Sequence, residues 1–384
     1  MCQIAENAFR RTGNEDSVGN ELPTHIYKEE YIMKKKLALI LTAAMVLGLV
    51  GCGQAAAPAS EAKAEAPAAE AAEEAPAAEE AAEAPAEATD AQSYTIGICQ
   101  LVEHPALDAA TQGFQDAISE EMGDAVSFDV QNAQGDSNTC STIINSFVSN
   151  NVNLIMANAT PALQAAAAGT NEIPILGTSV TEYGVALDID NFSGTVGGNI
   201  SGTSDLAPLD KQADIFTELL PDVKKVGLVY CSAEANSQYQ VDVVKECLEA
   251  KGIECKLYAF ADSNDLSAVA TSAVGENEAL YVPTDNTVAS NAEIIQNICI
   301  PAGIPVVAGE EGICGGCGIA TLSISYYDLG VATGKMAVKV LKGEANISDM
   351  AVEYAPEFTK KYNVANCEAL GIAVPADYVA IEAE

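Results

Sequence analysis

TIGICQL, residues Thr95–Leu101, followed by the amphipathic stretch Pro105–Met122 and by VSFDVQN, Val126–Asn132, decides the fold. The first run is short and apolar and reads as a buried strand, the second has the length and periodicity of a helix, and the third is again a strand. The pattern continues. Asn138–Ser149 reads as a second helix, and NLIMAN (Asn153–Asn158) and PILGTS (Pro174–Ser179) read as strands around a helix at Pro161–Ala168. Strands and helices alternating at this spacing make βαβ units, and βαβ units make a parallel sheet.

Beyond a glycine-rich stretch, Gly194–Gly202, the same grammar restarts. Helix Leu209–Leu219, strand VGLVY (Val226–Tyr230), helix Gln238–Lys251, strand Ile253–Phe260 and helix Asp265–Val274 come first. Strand ALYV (Ala279–Val282), helix Val288–Cys299 and strand PVVAG (Pro305–Gly309) follow. Two halves of similar size predict an α/β protein of two lobes, each with a parallel sheet, joined by crossovers. A last helix, Tyr327–Leu341, and extended pieces near Ala351–Tyr354 and Lys361–Val364 are long enough to recross between the lobes. The expected division gives 94–204 and 324–345 to the first lobe, and 205–323 and 346–384 to the second.

Upstream, KKKLALILTAAMVLGLVGC (Lys34–Cys52) sets three lysines before a 14-residue apolar run, Leu37–Val50, that ends in small residues. That is a secretion signal with a cleavage site. A membrane-spanning helix needs about 20 apolar residues, so the run is too short to remain as an anchor. Leu49-Val50-Gly51-Cys52 resembles the lipobox of bacterial lipoproteins, which implies cleavage before Cys52 and a lipid on its thiol. Residues 1–32 mix both charges and read as an upstream extension, with Met33 as the start and 33–51 as the signal peptide. From 52 to 93 the chain is Ala, Glu and Pro with little else. It has no large side chains to bury, repels itself, and reads as a disordered stalk.

The formal net charge is −37. Up to Gly51 the chain carries Arg10, Arg11, Lys28, Lys34, Lys35 and Lys36 against Glu6, Glu15, Asp16, Glu21, Glu29 and Glu30, so the exported part keeps the whole charge. Such acidity excludes a nucleic-acid partner, which needs a basic surface. It also leaves membrane attachment to the lipid. Setting aside Cys2 and Cys52, an odd set of irregularly spaced cysteines remains, and in a chain this long they read as small buried apolar residues. Cys314-Gly-Gly-Cys317 has no second pair of like spacing and reads as a tight turn, with a local disulfide as the sharper alternative. His25 and His104 are the only histidines, so no His-rich metal site is possible. A Ser-His-Asp arrangement would have to use His104, which sits before Pro105 at a helix start, where capping or ligand contact outranks base catalysis. Gly194–Gly198 lacks the flanking strand and helix of a dinucleotide loop. Neither an enzyme nor a cofactor is expected.

Ligands of open parallel sheets bind beyond the carboxyl ends of the strands. The residues that follow the first-half strands are Gln100, Glu103 and His104; Asn132 and Asp136; Asn158 and Thr160; Thr178 and Thr181. The second half contributes Ser232, Glu234, Asn236 and Ser237; Thr284, Asp285 and Asn286; Glu310 and Glu311. Recurrence in both halves points to a shared cleft. Thr160-Pro161 reads as an N-cap and first helical residue, whose free backbone N–H groups favour a carboxylate or phosphate. Asp285 offers the opposite charge for an ammonium, and together they suggest a zwitterion, although helix capping explains each alone as well.

ICQLVEHPALD (Ile98–Asp108), NAQGD (Asn132–Asp136), ATP (Ala159–Pro161), GNISGTSD (Gly198–Asp205), SAEANS (Ser232–Ser237), YVPTDN (Tyr281–Asn286) and ATLSISYYDLG (Ala320–Gly330) resemble the bacterial ABC-transporter solute-binding lipoproteins of the aromatic-amino-acid-binding type. The resemblance spans about Tyr94–Pro375. It implies a type I periplasmic-binding-protein fold of two Rossmann-like lobes closing on a small ligand, most simply an aromatic amino acid. It also implies service to an ABC permease and ATPase from the extracytoplasmic face of the membrane, with lipid at Cys52 as the tether and a monomer expected. A ligand-sensing receptor lobe is the alternative, and a thiol- or His-dependent enzyme the lesser one. Carried over residue by residue, Gln100, Glu103, His104, Asn132, Thr160, Thr181, Ser232, Glu234, Asn236, Ser237, Asp285 and Asn286 would ring the ligand, with Asp285 on its amino group. Two features depart from the pattern. Thr181-Glu182-Tyr183 stands where a Thr-Asp-Pro type of sequence is expected, so that Tyr183 is expected to alter the pocket wall, and the Cys314–Cys317 turn is foreign to it. With no Trp in the chain, any stacking on the ligand falls to Tyr or Phe.

Overall fold

A computed structural model describes residues 93–381. The signal segment, Cys52 and nearly all of the Ala/Glu/Pro stalk lie outside the described residues. The first lobe runs β1 (Tyr94–Gln100), α1 (Pro105–Met122), β2 (Val126–Asn132), α2 (Ser137–Ser149), β3 (Leu154–Asn158), α3 (Thr160–Gly169), β4 (Ile175–Val180), α4 (Tyr183–Ala186) and β5 (Ile200–Ser204). The second continues with α5 (Leu209–Leu219), β6 (Lys225–Cys231), α6 (Ala235–Ala250), β7 (Glu254–Phe260), α7 (Ser263–Glu276), β8 (Ala279–Val282), α8 (Asn286–Ala289), α9 (Ala292–Ala302), β9 (Val306–Ala308), α10 (Glu311–Cys317) and β10 (Ala320–Ser323). The chain then returns to the first lobe as α11 (Tyr326–Leu341), which packs along α1, and β11 (Glu353–Tyr354). It ends in the second lobe as β12 (Thr359–Tyr362), α12 (Val364–Leu370) and β13 (Val379–Ala380).

The first sheet has the order β11-β5-β4-β3-β1-β2 and is parallel throughout. The second has the order β13-β12-β10-β9-β8-β6-β7 and is parallel except where β12 runs against β10. Each sheet carries an apolar cluster on both faces: Phe147 and Ile144 on one side of the first and Phe114 and Ile118 on the other, Phe216 and Leu248 against Phe260 and Ile295 in the second. Burial on both faces explains why the central strands read as continuous apolar runs.

Three crossings join the lobes, after β5, after β10 and after β11. Ile324 and Tyr326 of the second crossing pack with Ala355 and Phe358 of the third against Ala106 and Ala110 of α1. The return to the second lobe comes later than the sequence division placed it. Ile347 and Met350 pack under the first sheet and β11 pairs with β5, so the boundary expected at residue 346 falls after Tyr354.

Other expectations are also corrected. The helix expected at Val288–Cys299 is two helices, α8 and α9, broken at Ser290-Asn291. Cys314-Gly-Gly-Cys317 is no turn. It closes α10, whose first amides, those of Gly312 and Ile313, donate to the Glu310 side chain. Both thiols are buried and free, as are those of Cys99, Cys140, Cys231, Cys299 and Cys367, while Cys255 is half-buried and free.

The glycine-rich stretch holds a strand, β5, that the sequence pattern concealed. Its Gly202, at φ +147°, abuts the backbone of Gly177 on β4, and a Cβ on either residue would fall within 2.5 Å of the Tyr183 hydroxyl. The two glycines open a niche for that ring. Tyr183 is 1 % exposed, donates its hydroxyl to the Thr203 carbonyl at 3.0 Å and stacks on Phe192. It braces β4 and β5 from inside the lobe and does not form the pocket wall.

Candidate interlobe binding site

The carboxyl ends of β3, β4 and β5 do unusual things with their backbone. Ala159 takes φ +91° and occupies the N-cap position of α3, so Thr160 is the first helical residue and its hydroxyl is not spent on capping. Ser179 takes φ +53° where the register between β4 and β5 shifts. Such conformations cost energy in non-glycine residues and collect at functional sites. Both hydroxyls, Thr160 Oγ1 and Ser179 Oγ, are buried without a hydrogen-bond partner.

Asp205 follows β5. Its Oδ2 accepts the Tyr326 hydroxyl at 2.9 Å, whereas Oδ1 has no partner. Burial raises its pKa above the usual carboxylate range, since no cation compensates the charge. Asn158, at the end of β3, donates to the Leu107 carbonyl and to Thr111 Oγ1 and keeps Oδ1 unpartnered. His104, just before α1, is 7 % exposed; its Nε2 lies 3.2 Å from Asn286 Oδ1 of the other lobe, and its Nδ1 is unpartnered.

The second lobe meets these groups with a strap of acceptors. Glu234 takes the amides of Asn286 and Thr287, the Asn286 side-chain nitrogen and the Thr287 hydroxyl, which binds the loop after β6 to the loop after β8. Asp285 caps α8, with Oδ1 accepting from Val288 N at 2.9 Å and Oδ2 from Cys231 N at 2.7 Å. Burial and then the nearby Glu234 push its pKa up to about 8. Asn236 donates to the Thr284 carbonyl and leaves Oδ1 without a partner.

The sequence-predicted residues therefore separate. His104, Thr160, Thr181, Glu234, Asn236, Ser237, Asp285 and Asn286 are buried at the facing strand ends. Gln100 lies beneath them, accepting from Thr111 and donating to Asp108. Asn132 is half-buried and accepts from Gln134 N in its own turn. Glu103 and Ser232 are exposed, the latter donating to the Phe260 carbonyl. Three residues escaped: Ser179, Asp205 and Tyr326. The signal for Asp205 was present, because it follows a strand just as the others do, but β5 went unread, as did β10 before Tyr326.

A crevice of about 180 Å³ opens between the lobes, lined by Leu101, Val102 and Pro161 on one side and by Cys231, Ala233, Asn286 and Thr287 on the other. No lysine is buried among the described residues, and the chain has no arginine past Arg11. At the facing strand ends, an anionic group must rely on hydroxyls and on the N-terminus of α3, and a cationic one has Asp205 Oδ1.

The family model for the ABC transporter substrate binding protein matches residues 95–384. A tyrosine-binding protein of Clostridioides difficile (strain R20291) is 38% identical over 263 residues, which are 67% of this chain and 75% of the relative. Among solved structures, a Streptococcus pneumoniae ABC domain in complex with L-Trp is 32% identical, covers 74% of this chain and 96% of its own, and superposes with a TM-score of 0.71. A substrate binding protein with adhesive properties from Clostridium difficile, in its ligand-free, open form, is 38% identical, covers 76% of this chain and 100% of its own, and superposes at 0.59. The chain thus lies nearer in shape to the L-Trp complex than to the open form, though nearer in sequence to the latter. The His104–Asn286 hydrogen bond across the cleft agrees with a closed arrangement.

Proposed function

The chain belongs to the ABC transporter substrate binding protein family, and on that premise we propose that its interlobe cleft captures an aromatic amino acid and delivers it to an ABC permease and ATPase. The fold is the type I periplasmic-binding-protein arrangement. The observation that carries the reading is the set of buried, unpartnered polar atoms at the facing strand ends: Thr160 Oγ1, Ser179 Oγ, Asp205 Oδ1 and Asn158 Oδ1 from the first lobe and Asn236 Oδ1 from the second. Each such atom costs about 1–3 kcal/mol until something pairs with it. A zwitterion supplies the missing partners. Its ammonium meets Asp205 Oδ1, and its carboxylate meets Thr160, Ser179 and the amides at the start of α3.

This moves the ammonium partner from Asp285 to Asp205, because both Asp285 oxygens already accept backbone amides. The aromatic ligand class is supported by the tyrosine-binding relative and the L-Trp complex. The protein then works on the extracytoplasmic face as a monomer tethered by lipid at Cys52, and it makes and breaks no bond. Closure uses the ligand's higher affinity for the closed state, and the permease recognises that state. Calorimetric titration of the full chain, stripped of solute by unfolding and refolding, with each common amino acid tests the reading. Binding of Tyr, Phe or Trp ahead of the others is expected, and no heat from any of the three rejects the ligand class.

A further inference from the structure

The amide of Asn286 fixes which nitrogen of His104 carries the proton. Asn286 Nδ2 donates to Glu234 Oε2 at 2.6 Å, so Oδ1 faces His104 as an acceptor, and Nε2, 3.2 Å away, must donate. The neutral ring then holds its lone pair on Nδ1. That atom is buried, unpartnered and able only to accept.

Its place in the sheet says what it waits for. β5, β4, β3 and β1 are successive neighbours, so the ends of β5, which carries Asp205, and β1, which leads to His104, stand three strand spacings apart, about 14 Å. A separation of that order between the strand ends leaves room for an amino acid with a ring that ends in a polar group, as tyrosine does. Asn286, the partner of His104, lines the crevice together with Leu101, Val102 and Pro161, which offer apolar surface to a ring.

We propose that His104 is a specificity-determining residue: its Nδ1 accepts a hydrogen bond from the phenol hydroxyl of the ligand, so that tyrosine is preferred over phenylalanine. This rests on the aromatic-amino-acid reading of the cleft. Asn286 and Glu234 act through His104 as positioning residues, holding the tautomer that makes Nδ1 an acceptor. Phenylalanine leaves that acceptor buried and unpaired, and this loss discriminates more strongly than a difference in apolar contact.

The test is calorimetry on the full, solute-stripped chain with tyrosine, phenylalanine and 4-methoxyphenylalanine, which keeps the ring oxygen but has no proton to donate. Tyrosine is expected to bind about tenfold or more tighter than either of the others. In His104→Phe the preference for tyrosine should fall to about twofold while phenylalanine still binds. Equal binding of tyrosine and phenylalanine by the wild type, tyrosine-like binding of the methoxy analogue, or an undiminished preference in the variant each overturns the role of His104 and leaves the aromatic reading standing. Failure of tyrosine, phenylalanine and tryptophan alike to bind overturns both. If the variant does not fold, the three ligands on the wild type still decide.

Discussion

The hydroxyl of Tyr326 donates to Asp205 Oδ2 at 2.9 Å, and the other oxygen of that buried carboxylate has no partner. Asp205 begins the first crossing between the lobes and Tyr326 ends the second, so one hydrogen bond ties two hinge strands together at the floor of the cleft. The carboxylate is thereby aimed without being neutralised. Asp205→Asn should weaken binding of a zwitterionic ligand by about 100-fold, because a desolvated charge pair is lost, while removing an uncompensated buried charge leaves stability near or above wild type. Titration calorimetry beside a thermal melt separates the two effects. Wild-type affinity in the variant would assign the ammonium elsewhere.

Asp285 should behave in the opposite way. Its oxygens hold Val288 N and Cys231 N, so it joins the cap of α8 to the end of β6. Asp285→Ala is expected to cost about 1–3 kcal/mol of unfolding free energy through two orphaned amides. Urea denaturation measures it. A variant as stable as wild type but unable to bind would return the ammonium to Asp285.

The contrast between these two aspartates shows what the sequence could and could not say. Alternating apolar runs and amphipathic stretches were enough for two parallel-sheet lobes, and the residues after visible strands supplied most of the buried polar groups. ISGTS (Ile200–Ser204) has one large apolar side chain and a glycine, so it reads as a loop; it is a strand because its small residues admit the Tyr183 ring. With β5 unread, Asp205 had no strand to follow. Glu310 likewise turns a three-glycine segment into the helix α10 by capping it, an effect of tertiary burial that propensity does not carry. Thr160 was expected to cap its helix, yet Ala159 takes that place, while Asp285, for which both a cap and an ammonium partner were open, is a cap. Sequence shows that a side chain sits at a helix start, but not whether its oxygens are already spent.

The Tyr183 niche makes a stability prediction. Tyr183→Phe keeps the ring and removes the hydroxyl from the Thr203 carbonyl, which should cost about 1–2 kcal/mol. Gly202→Ala must push a Cβ against the Gly177 carbonyl oxygen, 2.1 Å away in the unrelaxed structure, at positive φ, and should cost about 3 kcal/mol or more. Denaturant midpoints with unchanged m-values would establish both. An unperturbed Gly202→Ala variant would mean that the β4–β5 contact is not tight in solution.

The thiols should be inert in the folded protein. Burial pushes Cys314 and Cys317 well above the ordinary thiol range, and half-buried Cys255 up to about 12. Since the thiolate is the reactive form, mass-spectrometric mapping after brief exposure to a thiol reagent at pH 8 should find Cys99, Cys231, Cys255, Cys299, Cys314, Cys317 and Cys367 unmodified, and Cys140 as well, because burial shields it although its hydrogen bond with Cys99 lowers its pKa; all of them should be modified after unfolding. Fast labelling of Cys314 or Cys317 in the native state would contradict the packing of α10.

Acid should open the cleft through His104. Burial holds its pKa below the ordinary 6.5, against the upward pull of the Asn286 hydrogen bond and of the charges of Glu234, which faces it from the start of α6 beside Asp285, and Asp108 on its own helix. In the open form the ring is solvated and takes up a proton more readily. The closed form therefore binds fewer protons around pH 6.5, and closure, complete above that value, is opposed as the pH falls through it. Affinity should drop between pH 7.5 and 5.5, by no more than about tenfold per pH unit for one proton. Glu310, lifted to about 7 by burial, and Asp285, at about 8, titrate in or beside the same window, so the share of His104 is the difference between wild type and His104→Gln measured by calorimetry at each pH. Parallel profiles for the two proteins would clear His104 of any part in it, whereas a flattened profile in the variant assigns the proton to the imidazole.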